Sequence, residues 1–250
     1  MFKLKNFIQD PLQLRKVAIN GELAPFHGVT VISPCYYEHR DFFDAIYQGL
    51  QTHPLVKTYF ALLPANSYHM TTMSLETEAQ KGNSWNKFIT KNLPRYQEIR
   101  KNLQINPLKP LIEKVELKVN SVISLTLLLN EVHETQIKKT AQALNLGKTV
   151  PSCFHITLAY SKPLIKLSRE NTELLYSEIN EQLQHVINKK IFPMEIEVPS
   201  LSYFNDMSAY YPWSAERNPF TIEIQKPHWL NRLLPRSRKH TSKLKKEAIL

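Results

Sequence analysis

The chain is 250 residues long, 42% hydrophobic and 22% charged, with a net charge of +10, enough for one large domain or two lobes around a sizeable core. Its five glycines form no G-x-G-x-x-G and no Walker-type loop, and its two cysteines, Cys35 and Cys153, exclude a disulfide scaffold and a Cys-x-x-Cys zinc pair. No apolar run is long enough to span a bilayer or serve as a signal peptide, which predicts a cytoplasmic protein in a reducing compartment.

Residues 1–26 read as an irregular lead-in ending at Pro25, and the β-branched stretch His27 to Ile32 predicts a strand. Asp41 is placed to cap a helix whose Phe43, Ile46 and Leu50 share one side. Val56 to Leu63 predicts a second strand, and the turn Pro64-Ala65-Asn66 leads into a third over 68–74. Ser84 caps a helix carrying Trp85, Phe88 and Ile89, which Pro94 should end while opening another with Ile99 and Leu103. Beyond a Pro-marked loop, Glu113 to Asn120 alternates as a half-buried strand and Val122 to Asn130 is its antiparallel neighbour. Glu131 to Leu146 reads as a helix ended by Gly147, with Ile137, Ala141 and Leu144 inward. A strand over 153–160 follows, then a long helix capped by Ser168 with Leu175, Ile179, Leu183 and Val186 on one stripe. Further strands are predicted at 191–198, 200–205 and 219–225. Alternating strands and helices with antiparallel strand neighbours give an α+β class.

Two of these strands echo each other: Tyr68-His69-Met70-Thr71-Thr72-Met73 and Phe154-His155-Ile156-Thr157-Leu158-Ala159. Strand alternation puts His69 and Thr71 on one face, and likewise His155 and Thr157. Tyr68 and Phe154 then turn toward the core. Each threonine sits about 7 Å along the strand from its histidine. His-x-Thr alone is a weak signal, since His133-Glu134-Thr135 and His240-Thr241-Ser242 also match or nearly match. The former reads as a helix surface and the latter as part of a basic tail. The aromatic residue before, the apolar residue between and the matching partner set the other two apart, and the repeat points to two similar lobes facing one another.

Paired imidazoles suit the cleavage of a phosphodiester. One takes a proton from water and the other gives one to the leaving oxygen, near the pH where imidazole titrates. Thr71 and Thr157 are suited to donate hydrogen bonds to the nonbridging oxygens as charge grows there. Cys153 can be read as a nucleophile beside His155, but that leaves the second histidine unexplained, and a buried reduced thiol is the better reading.

The two segments resemble the signatures of the two-histidine (2H) phosphoesterase superfamily, whose motif is His, apolar, Thr or Ser, apolar, twice. His155-Ile156-Thr157-Leu158 matches throughout, whereas Thr72 stands where the first motif usually has an apolar residue. Pro25 to Val31 and Tyr203-Phe204-Asn205-Asp206-Met207 are similar to an uncharacterised microbial subgroup. The resemblance covers about residues 20 to 225. It implies a bilobal α+β fold with two antiparallel sheets facing a central cleft and helices outside, over residues 1–226, with no metal or cofactor. It implies a phosphodiesterase acting on a 2′,3′-cyclic or 2′,5′-linked nucleotide or RNA end, with His155 as general base and His69 as general acid. The alternative is a non-catalytic nucleotide- or RNA-binding module on the same fold. Candidate substrate contacts are Thr30, on a neighbouring strand, and Tyr160, Tyr203 and Phe204, as stacking rings. A monomer is expected.

Residues 227–250 form a separate basic tail, with seven Lys or Arg against Glu247. Trp229, Leu230, Leu233 and Leu234 interleave with Arg232, Arg236 and Arg238. That mixture can grip RNA phosphates or an anionic membrane surface, and it is equally the composition of a disordered extension or a sorting signal.

Overall fold

In the computed structural model, which describes residues 16–105, 107–163, 168–214 and 216–221, nine strands join one antiparallel sheet. The strands are β1 (Gly28–Pro34), β2 (Phe60–Leu62), β3 (His69–Thr77), β4 (Leu111–Val119), β5 (Val122–Leu129), β6 (His155–Ser161), β7 (Met194–Glu195), β8 (Ser200–Phe204) and β9 (Tyr211–Pro212). Their order is β7-β4-β5-β6-β3-β1-β8-β9, with β2 also on β6. The two histidine strands are therefore the central pair, each flanked by three further strands. Between β3 and β6 the register holds one pair, Met70 with Ile156. The two expected sheets are thus two halves of a continuous sheet, joined at a narrow seam.

Helices cover the outside. α1 (Arg40–Thr52) and α6 (Arg169–Lys189) contribute Phe43, Ile46 and Leu50 and the i, i+4 series Leu175, Ile179, Leu183 and Ile187 to a core shared with β4, β5 and β6. Ser168 caps α6 as expected, accepting from Asn171 N–H at 3.1 Å. α4 (Trp85–Ile105) buries Trp85, Ile89, Tyr96, Ile99 and Leu103 in a second core with Val29, Val31, Met73 and Leu201 of the other half. α5 (Glu131–Ala143) reaches both cores, through Ile137 and Ala141. It is capped by Asn130, and Asn145, at φ 57°, leaves the helical line before Gly147.

Several predicted elements differ. Residues 54–59 form α2 (Pro54–Tyr59), because Pro54 at the first helical position outweighs the β-branched Val56 and Thr58. Only residues 60–62 of that stretch are strand. α4 runs through Pro94, where an interior proline costs about 3 kcal/mol; both halves of its buried stripe pack on the sheet and keep it whole. Ser84 ends a 3-10 turn after the short α3 (Glu78–Lys81) instead of capping α4. The strand predicted at 191–198 shrinks to two residues, and Pro219–Phe220 is a turn. A compact unit ends at Phe220, and the rest of the chain, the basic tail included, lies outside the described residues save Thr221. Among the described residues, no helix is long and apolar enough to cross a membrane.

Candidate active site

The seam carries the candidate site. In an antiparallel ladder, continuing the pair Met70–Ile156 by one residue each way sets His69 across from Thr157 and Thr71 across from His155. Each histidine thus faces the other motif's threonine, and the imidazoles sit on a diagonal of about 7–8 Å between Cα positions. All four side chains line one cavity of about 350 Å³, a volume suited to a small ligand. Tyr68 and Phe154, one residue earlier, are buried at 1% and 5% exposure, as alternation requires.

One residue past each threonine the ladder slips. On β3 the partners step from Ile32–Thr71 to Val31–Met73, leaving Thr72 extra. On β6 they step from Ser124–Thr157 to Ile123–Ala159, leaving Leu158 extra. Both are β-bulges, two residues set against one. Each rephases its strand, so Ser74 and Tyr160 return to the face of the histidines and line the cavity, where strict alternation would turn them away. Two hydroxyls staple the first bulge: Thr72 Oγ1 donates to the Val31 carbonyl at 3.2 Å and Thr30 Oγ1 to the Met73 carbonyl at 3.1 Å. Thr72, the departure from the family motif, is fully buried with its hydroxyl satisfied. Thr30 does line the cavity, but its hydroxyl proton is committed to the bulge.

The imidazoles are held alike. His69 Nδ1 lies 2.7 Å from the carbonyl oxygen of Ser67, and His155 Nδ1 lies 3.2 Å from that of Cys153, two residues back in each case. A carbonyl only accepts, so Nδ1 carries the proton in both rings and Nε2 is the atom left for chemistry. Their surroundings differ. His155 is exposed, while His69 is partly covered by the ring of Tyr210, 4.0 Å away between centroids. Burial, reinforced by the charges of His155 and Lys16 and opposed by the Ser67 carbonyl, pushes His69 down to about 4.

Aromatic rings form the wall beside His69. Phe204 packs on Tyr210 at 5.2 Å and lies near-parallel to Phe26 at 6.2 Å. Gly28 makes room for it, since a Cβ there would stand 2.2 Å from Phe204 Cζ. Tyr160 lies between Lys16, which donates to its hydroxyl at 3.2 Å, and Met207 Sδ at 3.6 Å. Tyr203, predicted as a stacking ring, faces the other way: it packs on Tyr211, Trp213 and Phe220. Neighbours on a strand point to opposite faces, so Tyr203 and Phe204 cannot both reach the cavity. Cys153 is exposed, against the expectation of a buried thiol. Lys16, Phe26, Met207 and Tyr210 also line the cavity, brought in by the topology from irregular segments; Phe26 and Met207 lie in the two segments similar to the microbial subgroup, while Lys16 and Tyr210 carry no local pattern. Among the described residues, no three His, Cys, Asp or Glu side chains converge as a metal-binding group.

This arrangement defines a two-lobed protein with a His-x-Thr pair at its seam. Residues 16–128, which include the first motif, match the family model 2H-phosphodiest, described as a domain of unknown function (DUF1868). No curated protein matches the chain. Among solved structures, it is similar to a conserved protein of unknown function from Agrobacterium tumefaciens, at TM-score 0.57 and 19% identity, over 79% of this chain and 88% of that one. Two structures of Kluyveromyces marxianus Usb1, one with uridine monophosphate, give TM-scores of 0.41 and 0.39 at 12% and 14% identity, over 75% of this chain and 98% of theirs. Residues 16–128 are thus similar to a two-histidine phosphodiesterase family model, and the Agrobacterium tumefaciens structure shares the fold.

Proposed function

We propose that the protein is a phosphodiesterase that hydrolyses a 2′,3′-cyclic or 2′,5′-linked phosphodiester of a nucleotide or RNA end, with side chains alone supplying the proton transfers. The observation that carries this reading is the pair of opposed His-x-Thr units lining one cavity, each imidazole fixed through Nδ1 with Nε2 left for the reaction. His69, kept neutral by burial, is the base. Its Nε2 takes a proton from water as the water oxygen bonds to phosphorus. His155 is the acid, and its Nε2–H protonates the sugar oxygen as the P–O bond to it breaks. The product is a phosphomonoester. These roles exchange those implied by the family resemblance, and the reason is the covering of His69 by Tyr210. Thr71 and Thr157 donate to the nonbridging oxygens, and the Phe204–Tyr210 wall accepts a nucleobase.

Incubation with 2′,3′-cyclic nucleotides and short cyclic-ended RNAs, in excess EDTA, tests the proposal. Turnover that chelator leaves unchanged and that His69→Ala abolishes is expected. Saturable binding without cleavage would make the protein a nucleotide-binding module instead.

A further inference from the structure

Lys16 is the cavity residue that the paired-histidine chemistry does not use. Its segment is fixed in place: Val17 is buried and bridges to Leu23, and Ala24 N–H donates to the Lys16 carbonyl at 2.9 Å. The side chain reaches across to the site, with Nζ 4.6 Å from the Tyr160 ring centroid and 5.5 Å from that of Phe26. Among the described residues, the acid nearest in sequence, Glu22, is bonded to Asn20. Among the described residues no carboxylate pairs with Lys16, and no Asp or Glu lines the cavity. The Lys16 ammonium therefore shares one space with the two imidazoles without a resident counter-charge. A cation so placed stays uncompensated until an anion enters, which marks a binding site more than a structural clip.

We propose that Lys16 is a substrate-binding residue of this site, its ammonium pairing with a phosphate oxygen and carrying the negative charge that grows as phosphorus becomes five-coordinate. The inference rests on the phosphodiesterase reading for its catalytic part, but anion binding by Lys16 stands without it. The Tyr160 hydroxyl and the two rings orient the ammonium, and the threonines supply neutral donors where Lys16 supplies full charge.

The test uses Lys16→Met, which keeps the aliphatic packing, and Lys16→Arg, which keeps the charge. Histidine ring NMR follows inorganic phosphate binding, and hydrolysis of a 2′,3′-cyclic nucleotide is measured alongside thermal unfolding. Lys16→Met should bind phosphate about tenfold more weakly and lose about 10²-fold in kcat/KM, the scale of one lost oxyanion donor. The free His69 of that variant should titrate at higher pH, and Lys16→Arg should restore most of the binding. Phosphate binding and His69 titration both unchanged in Lys16→Met overturns the proposal. So does a loss of activity that tracks only a fall in unfolding temperature. If the wild-type protein turns over no substrate yet loses phosphate binding in Lys16→Met, the phosphodiesterase reading fails alone.

Discussion

The ring of Tyr210 lies 4.0 Å from the imidazole of His69, centroid to centroid, at an interplanar angle of 51°. It screens one face of the histidine from water and so favours the neutral form. Tyr210→Ala should let His69 titrate closer to 6.5 and lower kcat/KM about tenfold, with Tyr210→Phe close to wild type because the ring, not the hydroxyl, covers His69. NMR titration of the His69 ring reads this directly, and an unmoved titration in Tyr210→Ala would refute it.

The low value at His69 also sets two pH dependences. As a base it must be unprotonated, so the acidic limb of kcat/KM should fall near pH 4 and not near 6.5. For stability, the unfolded chain takes up a proton at this position near 6.5 and the folded chain near 4. Above about 6.5 the group contributes no slope, and between 6.5 and 4 acidification weakens the fold. Urea unfolding at pH 7 and pH 5 should show a smaller loss in His69→Gln than in wild type; equal losses would contradict the assignment.

Removing either histidine should cost about 10²–10⁴-fold in rate, the usual worth of a positioned proton transfer. His155 is exposed and His69 is only partly buried, so His69→Ala and His155→Ala should unfold cooperatively as wild type does. Thr71→Val and Thr157→Val, which keep shape but lose the hydroxyl, should each lower kcat about 10–100-fold, less than a full oxyanion-hole donor because water can enter. Single-turnover cleavage of a cyclic nucleotide is the measurement; a threonine variant at wild-type rate would remove that residue from the scheme.

Gly28→Ala puts a methyl group where the Phe204 ring lies. Overpacking of this kind typically costs about 1–3 kcal/mol. Because Phe204 also walls the cavity, the expected outcome is a raised KM together with a lower unfolding temperature. A variant with both unchanged would mean the wall gives way freely.

The geometry of the candidate site is readable in the chain where it depends on near neighbours. His-x-Thr on a strand fixes which side chains share a face, and the repeat implies a partner. What could not be read depends on distant partners. The bulges at Thr72 and Leu158 arise from mismatch with β1 and β5, so the arrival of Tyr160 and Ser74 in the cavity has no local signature. Local sequence gives no face for Tyr203, and in β8 it packs away from the cavity, on Tyr211, Trp213 and Phe220. Pro94 should have ended a helix on local rules, but burial along the whole of α4 prevails over local preference. Lys16 sits in a lead-in with no periodicity, and only the fold brings it beside His69.

The seam between β3 and β6 rests on one registered pair, Met70 with Ile156. The ladders that fix His69 and His155 therefore run outward, to β1 and to β5, and not between the two motifs. Alignment of one imidazole with the other is consequently a property of how two separately braced plates meet, like the jaws of pliers about their rivet. Wear at Met70 or Ile156 would spoil the bite while leaving each jaw intact.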